Sequence, residues 1–167
     1  MFKHKYPVSY FRNFIFGVED SLVSTVGLLS GIAVAGMSKE DIFLTGIVLI
    51  FVEAFSMGAG SFIAESSADE FTTGKEKVTL KNIFSGLVMF ISYFISGFIP
   101  LSSYLFLPVG QALYYSILFS TIALFVLGLV GAKISKGNLL LNGIRVVVIG
   151  GIAIILGLIV GTFASTI

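Results

Sequence analysis

The chain is 167 residues long, 56% hydrophobic and 11% charged, with a mean hydropathy of +1.05. A soluble domain is about one quarter charged, and ten basic plus nine acidic side chains cannot coat a water-facing surface around so much Ile, Leu, Val and Phe. The composition argues against a soluble enzyme and against intrinsic disorder, which needs low hydrophobicity. A net charge of +1 gives no clustered cations for nucleic-acid phosphates, and zero Cys excludes thiolate metal sites, disulfides and Cys nucleophiles. What is left is an integral membrane protein.

The leader MFKHKYPVSYFRNF lacks the apolar core and small-residue cleavage site of a secretory signal and reads as a cytosolic approach to the first span. A helix crosses the hydrocarbon core with about 20 mainly apolar residues. Five such stretches are predicted, at 14–36, 42–64, 83–107, 112–132 and 144–165, forming one five-helix transmembrane domain over 1–167. Pro100 predicts a kink or early stop in the third. The longest break, 65–82, is predicted as a cytosolic loop too short for a core of its own.

Lys3, Lys5, Arg12, Lys75, Lys77, Lys81, Lys133, Lys136 and Arg145 flank one side of these spans, and Lys39 alone flanks the other. By the positive-inside rule the N-terminus is cytosolic and the C-terminus lies outside, which requires an odd number of spans. Gly27-x-x-x-Gly31 and Gly157-x-x-x-Gly161 permit close backbone approach, within the bundle and between two copies, so a homodimer is expected.

Three carboxylates, Glu19, Asp20 and Glu53, fall inside or at the rim of predicted spans. A charge near a helix centre costs about 2.5 to 3.5 kcal/mol on insertion scales, so its default reading is an ion or proton site. The first span is centred near Thr25, leaving Asp20 roughly 7.5 Å to its cytosolic side at about 1.5 Å per residue. Met57 lies roughly 6 Å to the cytosolic side of Glu53 on the antiparallel second span. Asp20 and Met57 are thus expected at similar depth, with Glu53 one turn further out. Asp20, Ser24, Gly27 and Gly31 form one helical stripe, and Thr45, Glu53, Ser56, Met57 and Gly60 another. If the stripes face each other they leave room for an ion. Glu19, about 100° away from Asp20 on the helix, is a rim residue.

Carboxylates suit Mn²⁺ and Fe²⁺, and a thioether adds a soft ligand that Mg²⁺ and Ca²⁺ do not favour. Met57 also has a packing reading, and Asp20 could pair within the bundle with no transported ion. A buried acid that binds either metal or proton supplies the basis for metal/proton exchange. Glu53 and Asp20 are the candidates for coupling, and Ser24, Ser56, Gly27, Gly60 and Glu19 the pathway support.

Glu19-Asp20-Ser21-Leu22-Val23-Ser24-Thr25-Val26-Gly27-Leu28 resembles the "DGLVSTFGL" opening of the vacuolar iron transporter family. Ser56-Met57-Gly58-Ala59-Gly60-Ser61-Phe62-Ile63 resembles its "SMGxGEYL" segment, and Ile99-Pro100-Leu101-x-x-Tyr104-Leu105 its third-helix proline motif. The resemblance implies Fe²⁺ transport, often with Mn²⁺, out of the cytosol in exchange for protons, by a homodimer. It implies that Asp20 and Met57 are metal ligands. The family's second-helix glutamate falls where this chain has Leu49, so Glu53 fills that role one turn displaced, and Ser61 replaces a frequent glutamate.

Many members also carry a glutamate-rich cytosolic metal-binding domain between helices two and three; here only Glu65, Asp69, Glu70 and Glu76 remain, among Lys75, Lys77 and Lys81. These acids form the expected cytosolic mouth, with a solvated helix end as their plain reading. The implied protein is a short-form secondary transporter, not an enzyme, with Fe²⁺ or Mn²⁺ as substrate and no cofactor. Its expected partners are a second copy of itself, lipid, metal and protons, with no nucleic acid. Its expected location is the cell membrane in a prokaryote, or a vacuolar or other endomembrane in a eukaryote. The alternatives are a non-transporting scaffold or partner subunit, and a carrier of another divalent cation.

Overall fold

A computed structural model describes residues 5–75 and 78–166, with side chains described from Val8 onward. Its five helices are α1 (Lys5–Val34), α2 (Lys39–Thr73), α3 (Leu80–Phe106), α4 (Val109–Ser135) and α5 (Leu139–Ala164). Each contains a segment long and apolar enough to cross a membrane.

Local chemistry marks the boundaries. Gly36, at φ 84°, closes the α1–α2 turn in the left-handed region that glycine enters without steric cost. Ser38 then caps α2, its hydroxyl accepting from the Asp41 N–H at 3.1 Å. Gly74, at φ 65°, ends α2 and donates its N–H to Glu70 O at 2.8 Å. Asn138 caps α5 by accepting from the Leu141 N–H at 3.1 Å.

The helices are longer than the hydropathy spans. At 35 residues, α2 runs about 50 Å at 1.5 Å per residue, against a hydrocarbon core of about 30 Å. Residues 65–73, predicted as loop, continue the helix, where Ser66 accepts from Asn82 at 3.1 Å and Asp69 from Lys81 at 2.9 Å. Pro100 does not stop α3, which continues to Phe106. Its missing N–H forfeits a single intrahelical bond, and Pro100 itself is buried in close packing.

Side-chain neighbours fix the arrangement. Along α1, Gly17, Ser21 and Leu29 meet Met89, Tyr93 and Tyr104 of α3 in the same order, so α1 and α3 are parallel. Gly46, Ile50 and Gly58 of α2 meet Leu101, Gly97 and Gly86 in reverse order. The α5 residues Gly150, Ala153 and Gly157 follow Val23, Gly27 and Gly31 of α1, whereas Gly128 and Leu124 of α4 run against Gly143 and Gly150. The chain therefore passes up and down alternately, bringing Arg12, Lys75, Lys81, Lys133, Lys136 and Arg145 to one end, here called the basic end.

Helix α1 is the hub. It packs extensively on α3 and α5 and only lightly on α2, while α2 leans mainly on α3. Leu29, Ile42, Ile50, Leu101, Tyr104 and Ala112 form a buried cluster at the far end. Large apolar side chains elsewhere point outward, among them Val48, Val52 and Phe55 of α2 and Ile152, Ile155 and Val160 of α5. An all-round apolar exterior suits lipid.

Candidate functional site

The glycine pairs read from the sequence face each other inside the chain. A Cβ on Gly31 would lie 2.7 Å from the Gly157 carbonyl oxygen, and one on Gly161 would run into the Gly31 carbonyl. Gly27 meets Ala153 and Gly157 in the same way. The glycine part of the α1 stripe, Gly27 and Gly31, therefore packs on α5 rather than on the α2 stripe, while Ser24 reaches Tyr93 of α3 and Asp20 lies toward Glu53 of α2. Small residues on both α1 and α5 let these two backbones touch, and that contact takes the glycine face. Between them lies an open cleft of about 480 Å³, with Asp20 and Ser24 at its polar end and Leu28, Ile32, Leu156 and Val160 along its walls.

The register through α3 settles depth. Ser21 donates to Tyr93 O at 2.6 Å and borders Gly97, whose other flank is Ile50. Gly58 meets Phe90, and Met57 lines a cavity with Phe16 and Met89. Glu53 is thus level with Asp20, and Met57 lies one turn nearer the basic end, beside Gly17. Met57 was expected level with Asp20; counting from span centres failed because the helices extend unequally past the apolar stretches.

Asp20 and Glu53 lie within electrostatic reach of each other, and Tyr93 lies within reach of both. Both acids are partly exposed, as is Glu19, which interacts with Asp20. The Tyr93 hydroxyl is 2.7 Å from that of Ser24, and the Tyr93 side chain is fully buried. Two carboxylates, a phenol and a hydroxyl from three helices can hold a cation or share a proton. Among the described residues no group of three or more His, Cys, Asp or Glu gathers in one place, so one chain supplies two acids to this level.

Met57 occupies a different space from Asp20. It lines a cavity of about 690 Å³ between α1, α2 and α3 with Ser56, Gly60, Asn13 and Met89. A Cβ at Gly60 would meet nothing within 4 Å, so the wall is open at this position. Thr45, also on the predicted α2 stripe, instead donates to its own helix at Asp41 O, 2.7 Å away.

At the basic end, Glu65 is buried and bonded on all sides. Arg12 Nη2 donates to its Oε1 at 2.7 Å, the Ser9 hydroxyl donates to the same oxygen, and Lys81 Nζ lies 3.3 Å from Oε2. Lys81 also donates to Asp69 Oδ1 at 2.9 Å. Glu65 and Asp69 thus share a helical face, and that face holds a lysine. Glu70 is exposed, and Glu76 lies outside the described residues.

The sequence reading did not single out Asn13, Met89 or Tyr93. The available signal was periodic: Ser85, Met89, Ser92, Tyr93, Ser96, Ser103 and Tyr104 form a buried polar and sulfur-bearing stripe on an otherwise apolar α3.

With this geometry in place, comparison with known proteins decides the lineage. A model described as the VIT family matches residues 11–83 and 72–162. The chain belongs to the VIT family. Vacuolar iron transporter 1 of Tulipa gesneriana is 23% identical over 211 residues, spanning 90% of this chain and 85% of the relative. Vacuolar iron transporter of Centaurea cyanus is 24% identical over 202 residues, spanning 85% and 82% respectively. Both alignments exceed the 167 residues of this chain, so these relatives contain stretches with no counterpart in it. The two family-model segments meet at 72–83, at the α2–α3 connection. The family match and five helices long and apolar enough to cross a membrane make this chain a multi-pass VIT-family protein.

Proposed function

We propose that the protein is a homodimeric carrier that exports Fe²⁺ or Mn²⁺ from the cytosol in exchange for protons. The observation that carries this reading is the pair Asp20 and Glu53, two membrane-embedded carboxylates at one level and within electrostatic reach. Intramembrane acids are costly and persist where they do ionic work. Like charges in a low dielectric resist simultaneous ionisation, so the pair holds either a divalent cation or protons, and exchange follows from that competition. The basic end is cytosolic by the positive-inside rule. Metal enters there, passes Met57, and reaches Asp20 and Glu53; a second copy across a two-fold axis doubles the acids at that level and completes a coordination shell that one chain leaves short. Ser24 and Tyr93 orient the acids, and Glu19 stands at the rim.

The test is flux into proteoliposomes containing a metal-quenched dye, run with Fe²⁺, Mn²⁺, Zn²⁺ and Ca²⁺ with and without a pH gradient. Export of Fe²⁺ or Mn²⁺ that accelerates with an opposing proton gradient supports the reading. Protein-independent leakage for all four ions overturns it.

A further inference from the structure

Thr25 and Ser30 of α1, Ser103 of α3, and Ser116 and Ser120 of α4 are each at most 3% exposed, and among the described residues their hydroxyls have no hydrogen-bond partner. A serine or threonine inside a helix can satisfy itself by bonding back to a carbonyl about one turn earlier. Ser92, Ser96, Thr121 and Thr162 do so here; these five do not.

Helix register gathers the five into two tiers. Ser21 meets Tyr93 and Leu29 meets Tyr104, which sets Ser30 level with Ser103. Ile15 meets Gly131, and Val23 and Leu124 both border Gly150, which sets Thr25 level with Ser120 and Ser30 level with Ser116. The inner tier, Thr25 and Ser120, adjoins the Ser24–Tyr93 pair at the level of Asp20 and Glu53. Ser96 lies at this tier too, and its carbonyl receives no N–H from Pro100. The outer tier, Ser30, Ser103 and Ser116, lies about 7.5 Å further out at 1.5 Å per residue, one turn from the helix ends at Val34 and Phe106. The three helices all contact one another. None of the five residues lines the cleft beside α5 or the cavity beside Met57, and the cleft has no polar side chain outward of Ser24.

A buried hydroxyl without a protein partner is an anchor for internal water, which takes about three hydrogen bonds. A hydroxyl donates and accepts at once, so hydroxyls and waters in alternation accept a proton on one oxygen and release another to the next. Two waters at about 2.8 Å per link span the distance between the tiers. We propose that the hydroxyl seam between α1, α3 and α4 is a hydrated proton route from the outer surface to Asp20 and Glu53, separate from the space through which metal moves. This rests on the transport reading above and gives the incoming protons a path of their own. In exchange, protons enter from the side to which metal leaves, and the seam occupies that outer half of the bundle. Each proton taken up at the outer tier is matched by one delivered to an acid, and rotation of the hydroxyls and waters restores the chain. The titratable side chains beside it are Asp20 and Glu53 at its inner end and Tyr93 and Tyr104 along α3; Tyr114 and Tyr115 of α4 are exposed.

Thr25→Val and Ser120→Ala each remove a hydroxyl with little change of volume. In proteoliposomes of the full chain holding an internal pH dye, Mn²⁺-driven proton movement is expected to fall at least fivefold in each folded variant, while Mn²⁺ binding to the detergent-purified protein stays within twofold of wild type. A smaller fall in proton movement overturns the route, and weaker binding than that overturns its separation from the metal site. Absence of any wild-type exchange overturns the transport reading instead, and the seam is then read by hydroxyl-radical footprinting in ¹⁸O water. Label is expected on Val26, Leu29 and Leu124, which are buried and adjoin Thr25, Ser30 and Ser120 along their helices. No label on these three residues overturns the hydrated seam.

Discussion

The Gly27 carbonyl oxygen occupies the space that a Cβ on Gly157 would need. That contact, repeated one turn on between Gly31 and Gly161, brings α1 and α5 into backbone contact and turns the glycine face of α1 away from α2.

It gives the first prediction. Gly157→Ala pushes the helices apart and should cost about 1–3 kcal/mol, the usual penalty for overpacking. Gly151→Ala, where an added Cβ meets nothing within 4 Å, should leave stability unchanged or slightly raised. Thermal unfolding in detergent checks both, and equal midpoints for the two variants contradict the close approach.

Glu65 is the second test. Its carboxylate joins Ser9 and Arg12 of α1 to Lys81 of α3, whose side chain is 14% exposed, so Glu65→Ala removes ion pairs to both helices at once. Breaking a buried ion pair costs about 3–5 kcal/mol, and partial solvation here brings the expected loss to about 2 kcal/mol. Arg12→Ala, at a side chain 69% exposed, should cost under about 1 kcal/mol. If Glu65 instead gathers metal at the mouth, Glu65→Ala slows flux at low metal concentration without lowering the thermal midpoint.

Ser24 and Tyr93 form the third. Each of Ser24→Ala and Tyr93→Phe removes one hydrogen bond worth about 1 kcal/mol, and the double variant should cost little more than either alone because the hydroxyls are 2.7 Å apart. Fully additive losses would show that the two hydroxyls act separately.

The transport reading supplies the fourth. Asp20→Ala is expected to abolish protection of cells against toxic iron or manganese while the protein still inserts. Glu53→Gln should change the pH dependence of flux more than Asp20→Asn does. Normal protection by Asp20→Ala at wild-type expression removes Asp20 from the pathway, and identical pH profiles for the two amide variants remove the distinction between metal and proton roles.

The α2 and α3 boundaries show how far hydropathy reaches. Apolar runs located all five helices, because a segment that cannot expose backbone to lipid has few options other than a helix. They missed residues 65–73, because a helix that leaves the membrane no longer needs an apolar sequence, whereas the run 83–107 did reach past Pro100 and only the early stop expected there failed. Asp20 and Glu53 were legible for the same reason as the spans: a carboxylate in such surroundings stands out by its cost alone. Met89, Asn13 and Tyr93 were not, since sulfur, amide and phenol are all tolerated in ordinary cores.

The one-dimensional pattern determined that this is a five-helix membrane protein, that its cations gather at one end, and that two acids lie in the apolar layer. Which faces meet was decided only in three dimensions. Helical periodicity defines a stripe but not its partner, and the partner of the α1 glycines is whichever helix brings the smallest residues to the same level. That helix is α5, so Met57 faces Asn13 and Met89 in one cavity while Asp20 opens into another.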